Sequence, residues 1–264
     1  MIKSKTTPVY DKIKTILVSQ PKPETEKSPY FDLAKKYNLK IDFRSFIHVE
    51  GVTSQEFRKD RVTIQDHTAV ILTSKNAVDH FFRMCSEMRV TVPDTMKYFC
   101  ISETTAYYLQ KYTIFRKRKI FHGKQTFADL IDLLKKHHSE KFLVPCSDIH
   151  KQEITELLDE HQIKYTKAVL YRTVCSNLKD LKDVNYDCIV FFSPSSVDSL
   201  RKNFPKFKQA KTRIAAFGQA TCQAVVKAGL KLNIQAPTPQ APSMTMALEQ
   251  YIQKANKAST QKKK

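Results

Sequence analysis

The sequence predicts an α/β protein made of two similar Rossmann-like or flavodoxin-like parallel-sheet domains. Three observations predict it. Apolar runs of strand length alternate with amphipathic helical segments throughout, the pattern of parallel sheets flanked by helices. One strand–turn–helix design occurs twice: 188–200, CIVFFSPSSVDSL, and 69–81, AVILTSKNAVDHF, place Ser193, Val197 and Asp198 on Ser74, Val78 and Asp79 at a constant offset of 119. Two further pairs accompany it: 99–106, FCISETTA, matches 214–222, IAAFGQATC, with Thr105 opposite Thr221, and 142–147, FLVPCS, matches 15–20, TILVSQ.

The copies interleave. A strand–helix–strand at 13–49 precedes the first core motif, and its match at 142–173 precedes the second. The simplest arrangement is discontinuous. Residues 1–47 plus 174–257 form the first domain, 48–173 the second, and 258–264 a basic disordered tail. Two crossing strands, near 46–52 and 171–178, join the domains, with a cleft between them that can open and close.

Each element has a local reason. Residues 13–18 form an apolar strand, and a polar loop rich in Pro, Lys and Glu follows at 20–28. Pro29–Tyr37 carries apolar residues at helical spacing (Phe31, Leu33, Ala34, Tyr37). A second strand is expected at 41–49, with imperfect alternation at Phe43, Phe46 and Ile47, ended by Gly51. Residues 53–62 read as a helix capped by Thr53 or Ser54. Strands then alternate with helices: strand 69–73, helix 76–88, strand 98–101, helix 104–111, strand 119–122, helix 127–138, strand 142–144, helix 151–160 and strand 168–173. Strand 189–192 closes on Ser-Pro, as a strand buried on both faces does before a helix start. Arg213–Phe217 is a strand and Gln219–Lys227 a helix with Gly229 as its C-terminal cap. A short strand at 232–235 and a helix at 242–255, with Pro242 in its first turn, complete the chain.

Composition narrows the function classes. An apolar share of 41% and an aromatic share of 10% are those of a folded core. The longest apolar runs have strand length, so no membrane span is expected. Residues 1–8 are polar and lack an apolar signal segment, which makes the cytoplasm the default location. Six cysteines form no C-x-x-C and stand in apolar contexts, so buried thiols are expected rather than disulfides or a zinc site. The histidines lack ligand spacing, and no metal site is expected.

Basic residues exceed acidic ones by 45 to 26, a net charge of +19. Part lies in QKKK at 261–264 and RKRK at 116–119, which read as solvated basic surface. Such an excess suits a polyanionic partner. Nucleic acid is not the expected one, because no zinc-finger spacing, RNP motif or basic recognition helix is present.

Chemistry in open parallel sheets collects beyond the carboxyl ends of strands. Six turns fall there: Ser19-Gln20, 73–76, 102–105, 145–147, 193–196 and 218–221. All are small and polar. None supplies a Ser-His-Asp set, a phosphate loop or a dinucleotide fingerprint, and only four glycines exist. What remains is hydroxyls, amides and helix N-termini, a set suited to binding several carboxylates. Capping competes with ligand contact at Ser74, Ser195 and Ser196. Thr105 and Thr221 lie just inside their helices at equivalent places in the two copies. Tyr171 is mid-strand at a domain crossing, where a core role competes with that of a weak acid facing a cleft.

LTSKNAV (72–78), LVPCSDIHKQEI (143–154), VLYRTV (169–174), FFSPSSV (191–197), AFGQATCQAV (216–225) and APTPQAP (236–242) together resemble the uroporphyrinogen-III synthase family. The resemblance runs from about Ile16 to Ile252, in order, across the discontinuous duplication. It implies a two-domain cleft fold and a lyase (hydro-lyase) reaction. Hydroxymethylbilane, a linear tetrapyrrole bearing eight carboxylates, loses water and closes to uroporphyrinogen III with its last ring inverted. No cofactor or metal is implied, and a monomer is expected. By position, Tyr171 matches a tyrosine that assists departure of the hydroxyl, and Thr221 joins it as a catalytic candidate. Thr105 and Thr221 match cleft threonines. Ser74, Ser193 and Ser195 match substrate-contacting turns, and Asn76, Ser147, Ser196 and Gln219 complete the substrate-binding candidates.

The chain departs from the family pattern at three turns. A Gly-Pro-Thr-Thr turn is Gly218-Gln219-Ala220-Thr221 here, Ser19-Gln20 replaces Thr-Arg, and Ser74-Lys75-Asn76 replaces Ser-Pro-Arg. These changes favour an alternative, a non-catalytic descendant of the fold that binds a polyanion or a protein. Tyr171 beside Thr221 favours the enzyme. A nucleic-acid-binding module rests only on the charge and the Lys tail.

Overall fold

Short apolar runs such as ILV (16–18), AVIL and CIVF are, in the computed structural model, the buried centres of two largely parallel sheets. The structure describes residues 12–149, 152–181 and 184–261, with the side chains of 259–261 excepted. In chain order the strands are β1 (Thr15–Val18), β2 (Lys40–Phe43), β3 (Ile47–Gly51), β4 (Ala69–Leu72), β5 (Lys97–Cys100), β6 (Ile120–His122), β7 (Phe142–Ser147), β8 (Tyr165–Cys175), β9 (Cys188–Phe191), β10 (Arg213–Phe217) and β11 (Leu232–Ala236). The helices are α1 (Pro29–Tyr37), α2 (Ser54–Lys59), α3 (Lys75–Glu87), α4 (Glu103–Tyr108), α5 (Ala128–Lys136), α6 (Gln152–Glu160), α7 (Pro194–Asn203), α8 (Gln219–Lys227) and α9 (Met244–Gln261).

The chain divides into two compact units, one containing residues up to His48 and from Cys175 onward, the other Val49–Val174. Chain crossings between them fall within β3 and at the end of β8. One sheet has the order β11-β10-β9-β1-β2 and the other β3-β8-β7-β4-β5-β6. The run β2-β1-β9-β10-β11 has the flavodoxin-like order 2-1-3-4-5. The run β8-β7-β4-β5-β6 repeats it, strand for strand, as the duplicated motifs require. Pairing is parallel along both runs.

Helices cover the sheets by burying one stripe each. In α3 that stripe is Ala77, Val78, Phe81, Met84 and Cys85, at the spacing of one helical face. Phe81 is fully buried, so truncation to Ala would cost about 3–5 kcal/mol. The end of α8 is closed by Gly229 at φ 70°, with the Leu230 N–H donating to the Val225 carbonyl at 3.1 Å.

The structure corrects four expectations. The single strand at 41–49 is two strands in different sheets, β2 and β3. Phe46 between them is fully buried, and its carbonyl accepts from the Ser176 N–H at 2.9 Å and the Ser199 hydroxyl at 2.5 Å, so it leaves no ladder for one continuous strand. The helix at 53–62 stops at Lys59, and Arg61 follows at φ 53°. Pro242 lies outside the first turn of α9, which begins at Met244. That helix continues through Ala258 to Gln261, where a disordered tail was expected. It meets no Gly or Pro after Pro242, and Ala255 is still buried. Residues 262–264, like 1–11, 150–151 and 182–183, lie outside the described residues.

Cys85, Cys100, Cys146, Cys188 and Cys222 are buried thiols, and Cys175 is half-buried. Among the described residues no helix is long and apolar enough to cross a membrane.

Candidate active site

In the 2-1-3-4-5 order, the switch point lies between the strands from which the chain leaves in opposite directions along the sheet. In the second unit these are β4 and β7. A cavity of about 390 Å³ lies beyond their carboxyl ends, with Thr73, Ser74, Cys146, Ser147, Lys167 and Tyr171 in its wall. Thr126 and Thr155 add hydroxyls, and Phe127, Ile101 and Ile154 add apolar surface.

Local geometry explains each polar group. Ser74 caps α3, accepting the Ala77 N–H at 3.1 Å, so its hydroxyl stands at the positive end of a 13-residue helix. Ser147 ends β7, donates to the Asp148 carboxylate at 2.8 Å and accepts the Ile149 N–H at 3.3 Å.

A β-bulge turns Tyr171 to the α3 side of the sheet. Along β7 and β8 the register runs Val144↔Lys167, Pro145↔Ala168 and Cys146↔Val169, then skips Leu170 to pair Ser147↔Tyr171. Strict alternation would place Tyr171 with Lys167 and Val169 on the face opposite Leu170. With the extra residue both are buried, Leu170 completely and Tyr171 to 8% exposure. The Tyr171 ring stacks on His80 of α3, and Ser74 lines the same cavity wall. Burial pushes the phenol above its ordinary pKa, and the neighbouring Ser74 hydroxyl opposes this only in part. The phenol is therefore protonated at neutral pH and able to donate.

Burial also pushes the Cys146 thiol up, to about 11, so it is a neutral wall group rather than a thiolate nucleophile. Among the described residues no group of three or more His, Cys, Asp or Glu is placed to hold a metal ion.

The candidates therefore divide. Ser74, Ser147 and Tyr171 share the cavity wall. Asn76, on the first turn of α3, is exposed and lies outside that wall. Thr105 is buried in α4 and bonds the Ser102 hydroxyl at 3.2 Å, a local capping contact away from the cavity. In the other unit Ser193 caps α7, accepting the Ser196 N–H at 3.2 Å and sharing a 2.7 Å hydroxyl contact with Ser196. Ser195 is half-buried on the same turn. Gln219 and Thr221 open α8, Gln219 exposed and Thr221 buried.

Sequence reasoning passed over Lys167, Thr126 and His80. Lys167 had a signal, because it shares a strand with Tyr171 in KAVLY. His80 had none in isolation: its place on the Tyr171 ring depends on the bulge.

The fold and this cavity define a class: a duplicated α/β protein of flavodoxin-like strand order with a switch-point cavity walled by hydroxyls and a protonated phenol. Within that class the chain belongs to the uroporphyrinogen-III synthase family, whose model, described as uroporphyrinogen-III synthase HemD, matches residues 30–246. A uroporphyrinogen-III synthase of Chlorobaculum parvum is 24% identical over 260 residues, covering 91% of this chain and all of the relative. The fold is similar to that of uroporphyrinogen-III synthetase from Helicobacter pylori, with a TM-score of 0.59 and 17% identity over 91% of this chain and 99% of that one. It is also similar to a mutant uroporphyrinogen III synthase from Thermus thermophilus, with a TM-score of 0.51, 16% identity and the same coverage. The family is one of enzymes of tetrapyrrole biosynthesis, and a small-molecule tetrapyrrole is its substrate class.

Proposed function

We propose that this chain is a uroporphyrinogen-III synthase, a cyclising hydro-lyase that converts hydroxymethylbilane to uroporphyrinogen III with inversion of ring D. The observation that carries the proposal is the buried Tyr171 side chain beside Ser74 in the wall of the switch-point cavity. As the terminal C–O bond breaks, Tyr171 gives its proton to the departing hydroxyl, which leaves as water. The pyrrole nitrogen lone pair supplies the electrons that expel it. The electrophilic methylene then bonds to the substituted α-carbon of ring D, and the bond from that carbon to the ring C methylene breaks. That methylene bonds to the free α-carbon of ring D, and the proton lost from that free carbon restores the phenol. General-acid help of this kind supplies roughly 10²–10⁴-fold. Holding the chain folded so that closure occurs at the substituted carbon is an orientation effect.

The substrate's eight carboxylates suit a chain of net charge +19. Ser74 and Ser147 offer hydroxyls in the cavity, beside Lys167. In the other unit Ser193, Ser195, Ser196, Gln219 and Thr221 offer hydroxyls, an amide and helix N-termini to carboxylates. The reading calls for no metal or cofactor, for a monomer, and for a cytoplasmic enzyme acting on a water-soluble substrate.

A coupled assay tests it. Hydroxymethylbilane is generated in situ, the protein is added, and the oxidised porphyrins are separated by chromatography. Conversion from the spontaneous type I isomer to type III, in proportion to protein, is the expected result. Type I alone from folded protein would overturn the proposal in favour of a non-catalytic polyanion-binding descendant.

A further inference from the structure

One arginine on α3 reaches both the backbone and the ring that place Tyr171. Arg83 Nη2 donates to the carbonyl of Val52 at 2.9 Å and to that of Leu170 at 3.0 Å. Leu170 is the extra residue of the bulge, and its carbonyl also accepts the Val52 N–H at 2.9 Å. Arg83 Nη1 donates to Glu87 at 2.6 Å, which fixes the other arm of the guanidinium. Nε donates to His80 Nδ1 at 3.1 Å. That bond makes Nδ1 an acceptor, so the imidazole is neutral with its proton on Nε2. This neutral ring lies 4.9 Å from the Tyr171 ring and 19° from parallel to it.

A planar fork that donates in three directions is what an arginine supplies and a lysine does not. Here the fork holds the backbone immediately before Tyr171 and, through His80, the face of its ring. We propose that Arg83 and His80 form a clamp that holds the bulge at Leu170 and aims the Tyr171 hydroxyl at the cavity. Both are positioning residues, since neither belongs to the cavity wall. The importance of the clamp for turnover rests on reading Tyr171 as the proton donor. Its existence as a positioning device does not.

The closing experiment separates the two. The full-length protein is labelled with [4-¹³C]tyrosine, and the Tyr171 signal is assigned by its loss in Tyr171→Phe. His80→Ala and Arg83→Gln are expected to shift that signal and its titration midpoint. They should also lower kcat about tenfold while KM stays within about twofold, the pattern of lost transition-state alignment. His80→Phe, which restores a flat ring but not the acceptor for Arg83, should recover part of both the signal and kcat. An unmoved Tyr171 signal in His80→Ala overturns the clamp. So does an equal loss in His80→Ala and His80→Phe when both melt as the wild type does. Wild-type turnover in Tyr171→Phe would instead overturn the proton-donor reading, and the carbon signal would still decide the clamp.

Discussion

Gly51 and Arg83 stand so close that a Cβ on Gly51 would lie 2.6 Å from the guanidinium carbon and 2.8 Å from Nε. The glycine is required here for room. Gly51→Ala therefore expels the guanidinium from the carbonyls of Val52 and Leu170. Hydrogen bonds to a charged group contribute about 1.5–3 kcal/mol, so a loss of about that size is expected in urea denaturation. The same change in an Arg83→Gln background should cost little, because the group it displaces is already gone. Equal costs in both backgrounds would separate Gly51 from Arg83.

Helix α2 supplies a second test. The Thr53 hydroxyl accepts the Glu56 N–H at 3.2 Å, and the Glu56 carboxylate accepts the Thr53 N–H at 3.1 Å, a reciprocal capping box. Sequence alone left the cap open between Thr53 and Ser54. Thr53→Ala should destabilise by about 1 kcal/mol, whereas Ser54→Ala, at the first helical position, should stay within about 0.5 kcal/mol. The two urea midpoints decide between them, and the reverse order would refute the capping assignment.

The strand motifs and their serine caps were legible because they are local. A four-residue apolar run, a Ser and a helical stripe lie within about a dozen residues, so Ser74 and Ser193 could be placed at helix starts from spacing alone. Contacts across the chain were not legible. The break at Phe46 depends on Ser199, 153 residues away. The bulge that turns Tyr171 toward α3 appears only when β8 is set beside β7. Position within a turn also said too little about direction: Thr105 looked equivalent to Thr221, yet its hydroxyl is engaged by Ser102. His80 read as one more polar residue of α3 until Tyr171 was laid against it.

Acid sensitivity follows from two histidines. Burial, with the charge of Arg83, holds His80 below 6.5, and neighbouring Asp79 and Glu87 oppose this without reversing it. Burial, with the charge of Lys97, does the same to His137, against Glu140. A lowered histidine pKa means that the unfolded chain binds the proton first as pH falls. Stability is therefore undiminished above 6.5 and declines as pH drops from 6.5 through the folded-state values. Lowered carboxylates such as Asp148 act at more acid pH, below their unfolded range near 3.8. The unfolding free energy of the wild type should fall between pH 6.5 and 5.5, and His80→Phe should flatten that slope. An identical slope in the variant would remove His80 from the linkage.

Tyr171→Phe tests the chemistry most directly, because it removes one oxygen and leaves the ring. The stack on His80 and the packing of the bulge need only the ring, so the melting temperature should change little. Loss of a positioned proton donor should lower kcat by about 10²-fold, within the range of general acids, with KM nearly unchanged. Ser74→Ala keeps the phenol and removes only a neighbouring hydroxyl of the cavity wall, so its effect on kcat should be smaller. Because burial raises the phenol, the alkaline limb of kcat in the wild type should lie above the ordinary tyrosine value near 10. A limb at that same place in Tyr171→Phe, or a kcat equal to wild type, would assign the proton to another group and leave Tyr171 as part of the cavity wall.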